Sequence, residues 1–240
     1  MSVAGRISNR RAAVASRLVA APDSVLEPPE ATEGRPSRRL LVATSFVVLV
    51  PTAVLAFLRP PLPIEVSVLT WIDGALAGAI DGPMSFLDDV GRASVMSPAF
   101  VALAAALVLT GRHRAGGAVL AAAAATLVTN VVVKALVGRP RPDLWAVEVE
   151  SIGSYPSGHT LFVTVLFGLL VGVLRGTRWH RLVLTVGILG SFSMAFSRLY
   201  LGEHFPSDVV ASLCIGVLIV VVVDHFIGLS PMRPSQHPPE

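Results

Sequence analysis

Lysine is almost missing from this 240-residue chain: Lys134 stands alone against eighteen arginines. Charge of any kind is scarce, at 15% of residues with a net charge of +3. An ordinary soluble domain is about a quarter charged, so that class is excluded. The one cysteine, Cys214, lies in an apolar run. It excludes an intrachain disulfide and carries no information about redox compartment. No cleavable leader is expected, because Arg17 interrupts the only apolar stretch near the N-terminus, which is too short for a signal-peptide core.

What the chain does have is apolar sequence. Hydrophobic residues make up 53% of it, and mean hydropathy is +0.70. Six stretches approach the roughly 17–25 residues that a membrane span needs. They fall at 40–58, 94–110, 116–137, 158–174, 182–201 and 208–228. Backbone in hydrocarbon must satisfy its own hydrogen bonds, so each is expected to be a helix, the first kinked at Pro51. Between the first two, residues 62–92 mix apolar side chains with Glu65, Asp73, Asp81, Asp88 and Asp89. One or two interfacial helices are expected there, with Trp71 near headgroup level. The expected fold is all-α: a polytopic membrane protein, a six-transmembrane helix bundle with an interfacial helix between spans 1 and 2. Small residues at 121–125 and along the second span permit close helix packing.

The membrane domain is expected over 40–229, flanked by a disordered basic tail at 1–39 and a short tail at 230–240. The first tail carries seven arginines and four acids. Within it, 7–18 suits a short amphipathic surface helix, though plain disorder is the favoured reading. If the tails are inside, thirteen cations fall on inner segments and six on outer ones. The positive-inside rule then puts both termini in the cytoplasm of a cell-membrane protein. Trp179 fits the inner aromatic belt and Trp145 the outer.

That orientation brings three polar motifs to one outer face. The first is Lys134-x6-Arg141-Pro142. Gly138, Pro140 and Pro142 end the third span, so both cations can face one pocket. Arginine offers a planar fork to phosphate oxygens and lysine a compact charge. The second is Pro156-Ser157-Gly158-His159, where the fourth span begins. Ser157 is expected to cap that helix, and Gly158 lets an oxyanion approach backbone N–H groups. His159 is then placed to give a proton to a leaving oxygen. The third is Ser197-Arg198-x5-His204-x3-Asp208. Pro206 suits the first turn of the sixth span, which brings Asp208 within reach of His204. A carboxylate on one imidazole nitrogen fixes the tautomer and leaves the other free to attack.

Other polar residues are assigned weaker parts. Arg139 is expected at lipid headgroups beside the site, and Glu203 in water. Asp143 is expected to pair with Arg139 or Arg141, Tyr155 and Tyr200 to anchor at the interface, and Asp224 and His225 to snorkel at the inner end. The remaining histidines, His113, His180 and His237, are scattered, so neither a metal site nor a cofactor is expected.

In its residues, order and topology this constellation resembles the type 2 phosphatidic acid phosphatase superfamily of membrane lipid phosphatases. The resemblance covers roughly 62–228, including a segment at 83–91 similar to the helix that precedes the motifs in that family. It implies an integral-membrane phosphatase acting on a lipid phosphate or diphosphate such as undecaprenyl diphosphate or phosphatidic acid, without metal. His204 would form a phosphohistidine, Asp208 would orient it, and His159 would protonate the leaving group. Lys134, Arg141, Ser157, Gly158 and Arg198 would hold the phosphate oxygens. The alternatives are a vanadium-dependent haloperoxidase-like enzyme, a non-catalytic lipid-binding or transport protein on the same scaffold, and phosphoryl transfer to an acceptor other than water. The expected partners are the lipid substrate and membrane lipids, not nucleic acid; oligomeric state stays open.

Overall fold

The structure, a computed structural model, describes residues 38–58, 60–143 and 153–229. These form eight α-helices, and no strand occurs among the described residues. In chain order they are α1 (Arg38–Leu58), α2 (Pro63–Leu76), α3 (Asp81–Gly91), α4 (Ala93–Leu109), α5 (His113–Val137), α6 (Gly158–Val173), α7 (His180–Tyr200) and α8 (Pro206–Phe226). Each of the six apolar stretches is a helix, and 62–92 supplies the two shorter ones. The expectations for 1–37 and 230–240, and for Trp145 and His237, lie outside the described residues. Arg38 and Arg39, assigned to the tail, instead begin α1. Pro51 sits inside α1 without ending it.

Four helices, α1, α5, α7 and α8, are long and apolar enough to cross a bilayer; α3 and α4, bent by 56° at their junction, make a fifth if counted as one broken span. The expected count of six is not reached by length and composition: it needs both that broken pair and the shorter α6 to cross. That helix has 16 residues, about 24 Å at 1.5 Å per residue, against a hydrocarbon core of about 30 Å. Ahead of its first turn runs the stretch 154–157, which is buried but not helical.

The α6 helix is the axis of the bundle and packs against α3, α4, α5, α7 and α8. Apolar burial drives little helix association in lipid, so close contact must do the work. Small residues permit it. A Cβ on Gly216 of α8 would come within 2.7 Å of Thr164, and one on Gly168 of α6 within 2.7 Å of Val220. Phe100 meets Phe162 edge-on between α4 and α6, with Met96, Leu161, Val165 and Leu169 around them.

At the end of the bundle away from the motifs, Asp224 is buried rather than snorkelling. It accepts from Arg38 at 2.7 Å, from Arg175 at 3.1 Å and from the Leu229 amide at 3.0 Å. His225 beside it is exposed, its ring against Phe226. Trp71 and Trp179 are exposed.

Candidate active site

Three helix ends and two turns converge at the opposite end. The α5 helix stops at Val137 because Gly138 takes a left-handed conformation, φ 55°, and its amide closes back on the Lys134 carbonyl. The chain then runs through Arg139 and Arg141. It is clipped to the returning segment by the Ser154 amide on the Arg139 carbonyl, 2.8 Å, and the Ser154 hydroxyl on the Pro140 carbonyl, 3.0 Å. Lys134 Nζ reaches the same segment, donating to the Gly153 carbonyl at 3.1 Å. The first motif is thereby laid against the second.

Ser157 occupies the N-cap position of α6, but its side chain does not cap the helix as expected. Its hydroxyl accepts instead from Thr160, 3.2 Å away in the first turn. Gly158 lies close against α5: a Cβ there would stand 3.2 Å from the Asn130 side-chain oxygen. His159 follows, its Nε2 at 3.1 Å from Asp88 Oδ1. Gly91 of α3 makes room for that ring, since a Cβ at Gly91 would stand 2.5 Å from His159 Cδ2.

Between α7 and α8 the chain turns tightly through Gly202, φ 65°. Pro206 opens α8, where its missing N–H costs nothing. Asp208 takes the third helical position and Oδ2 accepts the Phe205 amide at 2.9 Å. His204 Nδ1 faces the same oxygen at 3.7 Å. Ion-pair reach is thus present, but the expected direct hydrogen bond is longer than hydrogen-bond range. Asp208 Oδ1 is held at 2.6 Å by Arg139. Burial pushes the His204 imidazole below its usual pKa, against the upward pull of Asp208.

All eight sequence-assigned site residues fall in this region. Four further residues belong with them. Arg139, expected at headgroups, is fully buried and clamped by Glu65 Oε2 at 2.8 Å, Ser207 Oγ at 2.7 Å and Asp208, with its guanidinium over the Phe205 ring. Glu65, expected in an interfacial helix, is 5% exposed. Glu203, expected in water, pairs with Arg141 at 2.9 Å and Arg198 at 3.3 Å. Asp88 meets Arg198 Nη1 at 2.6 Å. Thus Glu65, Asp208 and Glu203 take the places for which Asp143 was expected; Asp143 itself is exposed.

The sequence did hold a signal for the missed acids. Glu65 interrupts an otherwise apolar face of α2, and an ion at such a position needs a partner. The two tyrosines are also corrected. Tyr155 is buried, and burial raises its pKa against a 3.4 Å contact with the Thr52 hydroxyl. Tyr200 donates to Asp81 and to the Leu76 carbonyl, tying α7 to α2 and α3. Among the described residues no three His, Cys, Asp or Glu side chains converge as metal ligands. Lys134, Arg141 and Arg198 are thus gathered with two imidazoles and with the acids that pair them.

Comparison with known proteins points the same way. Residues 114–230 match the family model described as the PAP2 superfamily. Phosphatidylglycerophosphatase B of Bacillus subtilis is 25% identical over 148 residues, which are 60% of this chain and 73% of that protein. Decaprenylphosphoryl-5-phosphoribose phosphatase of Mycobacterium tuberculosis is 35% identical over 128 residues, 52% of this chain and 68% of its own length. In fold, the chain resembles the crystal structure of a transmembrane PAP2-type phosphatidylglycerolphosphate phosphatase from Bacillus subtilis. The TM-score is 0.67 at 20% identity, covering 76% of this chain and 94% of that one.

Proposed function

Because this chain belongs to the PAP2 superfamily, we propose that it is an integral-membrane phosphatase that removes phosphate from a phosphorylated membrane lipid through a phosphohistidine. The observation that carries this reading is the convergence of Lys134, Arg141 and Arg198 with His159 and His204 at one end of the bundle. Phosphoryl transfer asks mainly for positioning and charge neutralisation, which such a seat supplies.

In this reaction Nε2 of His204, the nitrogen turned away from Asp208, attacks phosphorus. An N–P bond forms as the bond to the leaving oxygen breaks, and His159 gives that oxygen its proton. Water then attacks phosphorus and His159 takes a proton from it. The N–P electron pair returns to His204, and inorganic phosphate leaves. The cations, the Ser157 hydroxyl and the first amides of α6 hold the nonbridging oxygens throughout. Asp208, locked by Arg139 and the Phe205 amide, biases the His204 tautomer electrostatically from 3.7 Å.

The site faces the extracytoplasmic side of the cell membrane, with both termini cytoplasmic, a reading supported by the distribution of arginine. The substrate is amphiphilic because the seat lies at the end of apolar helices, at headgroup depth. Both a phosphatidylglycerophosphate and a polyprenyl-linked phosphate fit, since the named activities of the two relatives divide between these classes.

The test is phosphate release by purified protein in detergent with EDTA. The lipids are a polyprenyl diphosphate, phosphatidic acid and phosphatidylglycerophosphate, with His204→Ala in parallel. Release that survives chelation and disappears in the variant is the expected result, and the preferred lipid identifies the substrate. Release that persists in His204→Ala would overturn the phosphohistidine.

A further inference from the structure

Two carboxylates already sit in the cationic centre. Asp88 of α3 places one oxygen, Oδ1, 2.6 Å from Arg198 Nη1 and 3.1 Å from His159 Nε2. Glu203 brings Oε2 to within 3.3 Å of the same arginine nitrogen. The Asp88 oxygen stands between the group assigned to hold phosphate and the group assigned to protonate the leaving atom. A phosphate engaging both would meet that carboxylate head on, and two anions do not share such a position without cost.

Asp88 has somewhere else to go. Its second oxygen is 2.9 Å from Arg92, one helical turn further on, whose side chain is 57% exposed. Arg198 Nη2 is buried and without a hydrogen-bond partner among the described residues, a donor left open for another oxygen. Glu203 differs: it has Arg141 as its own partner at 2.9 Å and belongs to the turn that carries His204.

We propose that Asp88 is a placeholder for the substrate's phosphate, a positioning residue that holds Arg198, stands against His159 Nε2 without a hydrogen bond to it, and turns to Arg92 when phosphate arrives. The proposal rests on the reading that this seat takes a phosphate group. It adds a competition between a built-in carboxylate and the ligand.

The experiment uses the full chain in detergent and reads two things: binding of inorganic phosphate by calorimetry, and KM with kcat on the preferred lipid phosphate. Asp88→Asn removes the competing charge, so phosphate is expected to bind on the order of tenfold tighter. KM should fall, and kcat should not rise. Asp88→Glu keeps the charge and should bind phosphate within about twofold of the parent. Arg92→Ala takes away the alternative partner and should weaken phosphate binding several-fold. A residue that served only to hold α3 in place would give the opposite for Asp88→Asn, equal or weaker binding, and that result overturns the proposal. If Asp88→Asn does not fold, Arg92→Ala decides, since equal or tighter binding there also overturns it. A chain that hydrolyses no lipid yet shows these shifts refutes the phosphatase reading and keeps the placeholder. Hydrolysis with unshifted phosphate affinity does the reverse.

Discussion

Arg139 donates to Asp208 across 2.6 Å, and neither side chain has any solvent exposure. The other Asp208 oxygen is taken by the Phe205 amide. The carboxylate facing the proposed nucleophile is therefore fixed from behind, by an arginine that itself leans on Glu65 of α2. Helix α2 is thereby coupled to the turn that carries His204.

Removing that arginine should be severe. In Arg139→Ala, Glu65 and Asp208 would be left as buried carboxylates without their cation, a loss of about 3–5 kcal/mol for a broken buried pair. The expected outcome is a marked drop in the thermal midpoint measured in detergent, along with loss of activity. Arg139→Lys keeps the charge but not the fork and should fall between. A midpoint unchanged in the alanine variant would show that the clamp contributes nothing to stability.

His159→Ala should reveal its part through the leaving group. General acid catalysis is worth roughly 10²- to 10⁴-fold, and only where the departing oxygen needs a proton. Hydrolysis of an alkyl lipid phosphate should fall by about that range in the variant. An aryl phosphate with an acidic phenol should lose far less. Equal losses on both substrates would assign His159 to binding instead.

The pH dependence follows from the burial of His204. Its folded pKa is lowered, so the imidazole stays neutral, and nucleophilic, below the ordinary histidine value of about 6.5. A base with a depressed pKa gains its proton later as pH falls. The acid limb of kcat/KM should accordingly lie below about pH 6.5. A limb placed above that value would contradict a buried, neutral nucleophile.

Gly91→Ala tests the close approach of α3 to the site. The added Cβ would sit 2.5 Å from His159 Cδ2 and 2.8 Å from Met194 Cε, so the imidazole must move. Displacements near 1 Å at a reacting group cost about a hundredfold in rate. Gly74→Ala, which meets nothing within 4 Å, is the control and should keep activity. Both are read as kcat at matched amounts of folded protein.

The apolar runs made six of the helices legible, because lipid leaves the backbone no alternative to helix. The motif residues were legible for a similar reason: Lys134 and Arg198 are costly where they stand unless something employs them. The partners were not, since Glu65 and Asp88 lie in α2 and α3, where acids on a mixed helix look like ordinary interfacial residues. Their burial depends on how α2 and α3 fold over α7 and α8, and that is a tertiary fact. Arg139 was hidden by its neighbour Arg141. Two residues apart in an extended stretch, with Pro140 between them, one turns inward to Asp208 and the other toward Glu203.

Those pairings also bear on turnover. Lys134, Arg139, Arg141 and Arg198 bring four positive charges to the site, and Glu65, Asp88, Glu203 and Asp208 bring four negative ones. A seat of unbalanced cations would grip the free phosphate it had just produced and stall. Here each cation is matched by a carboxylate, and in the proposed exchange Asp88 returns to Arg198 as phosphate leaves, so release of product does not strand a buried positive charge.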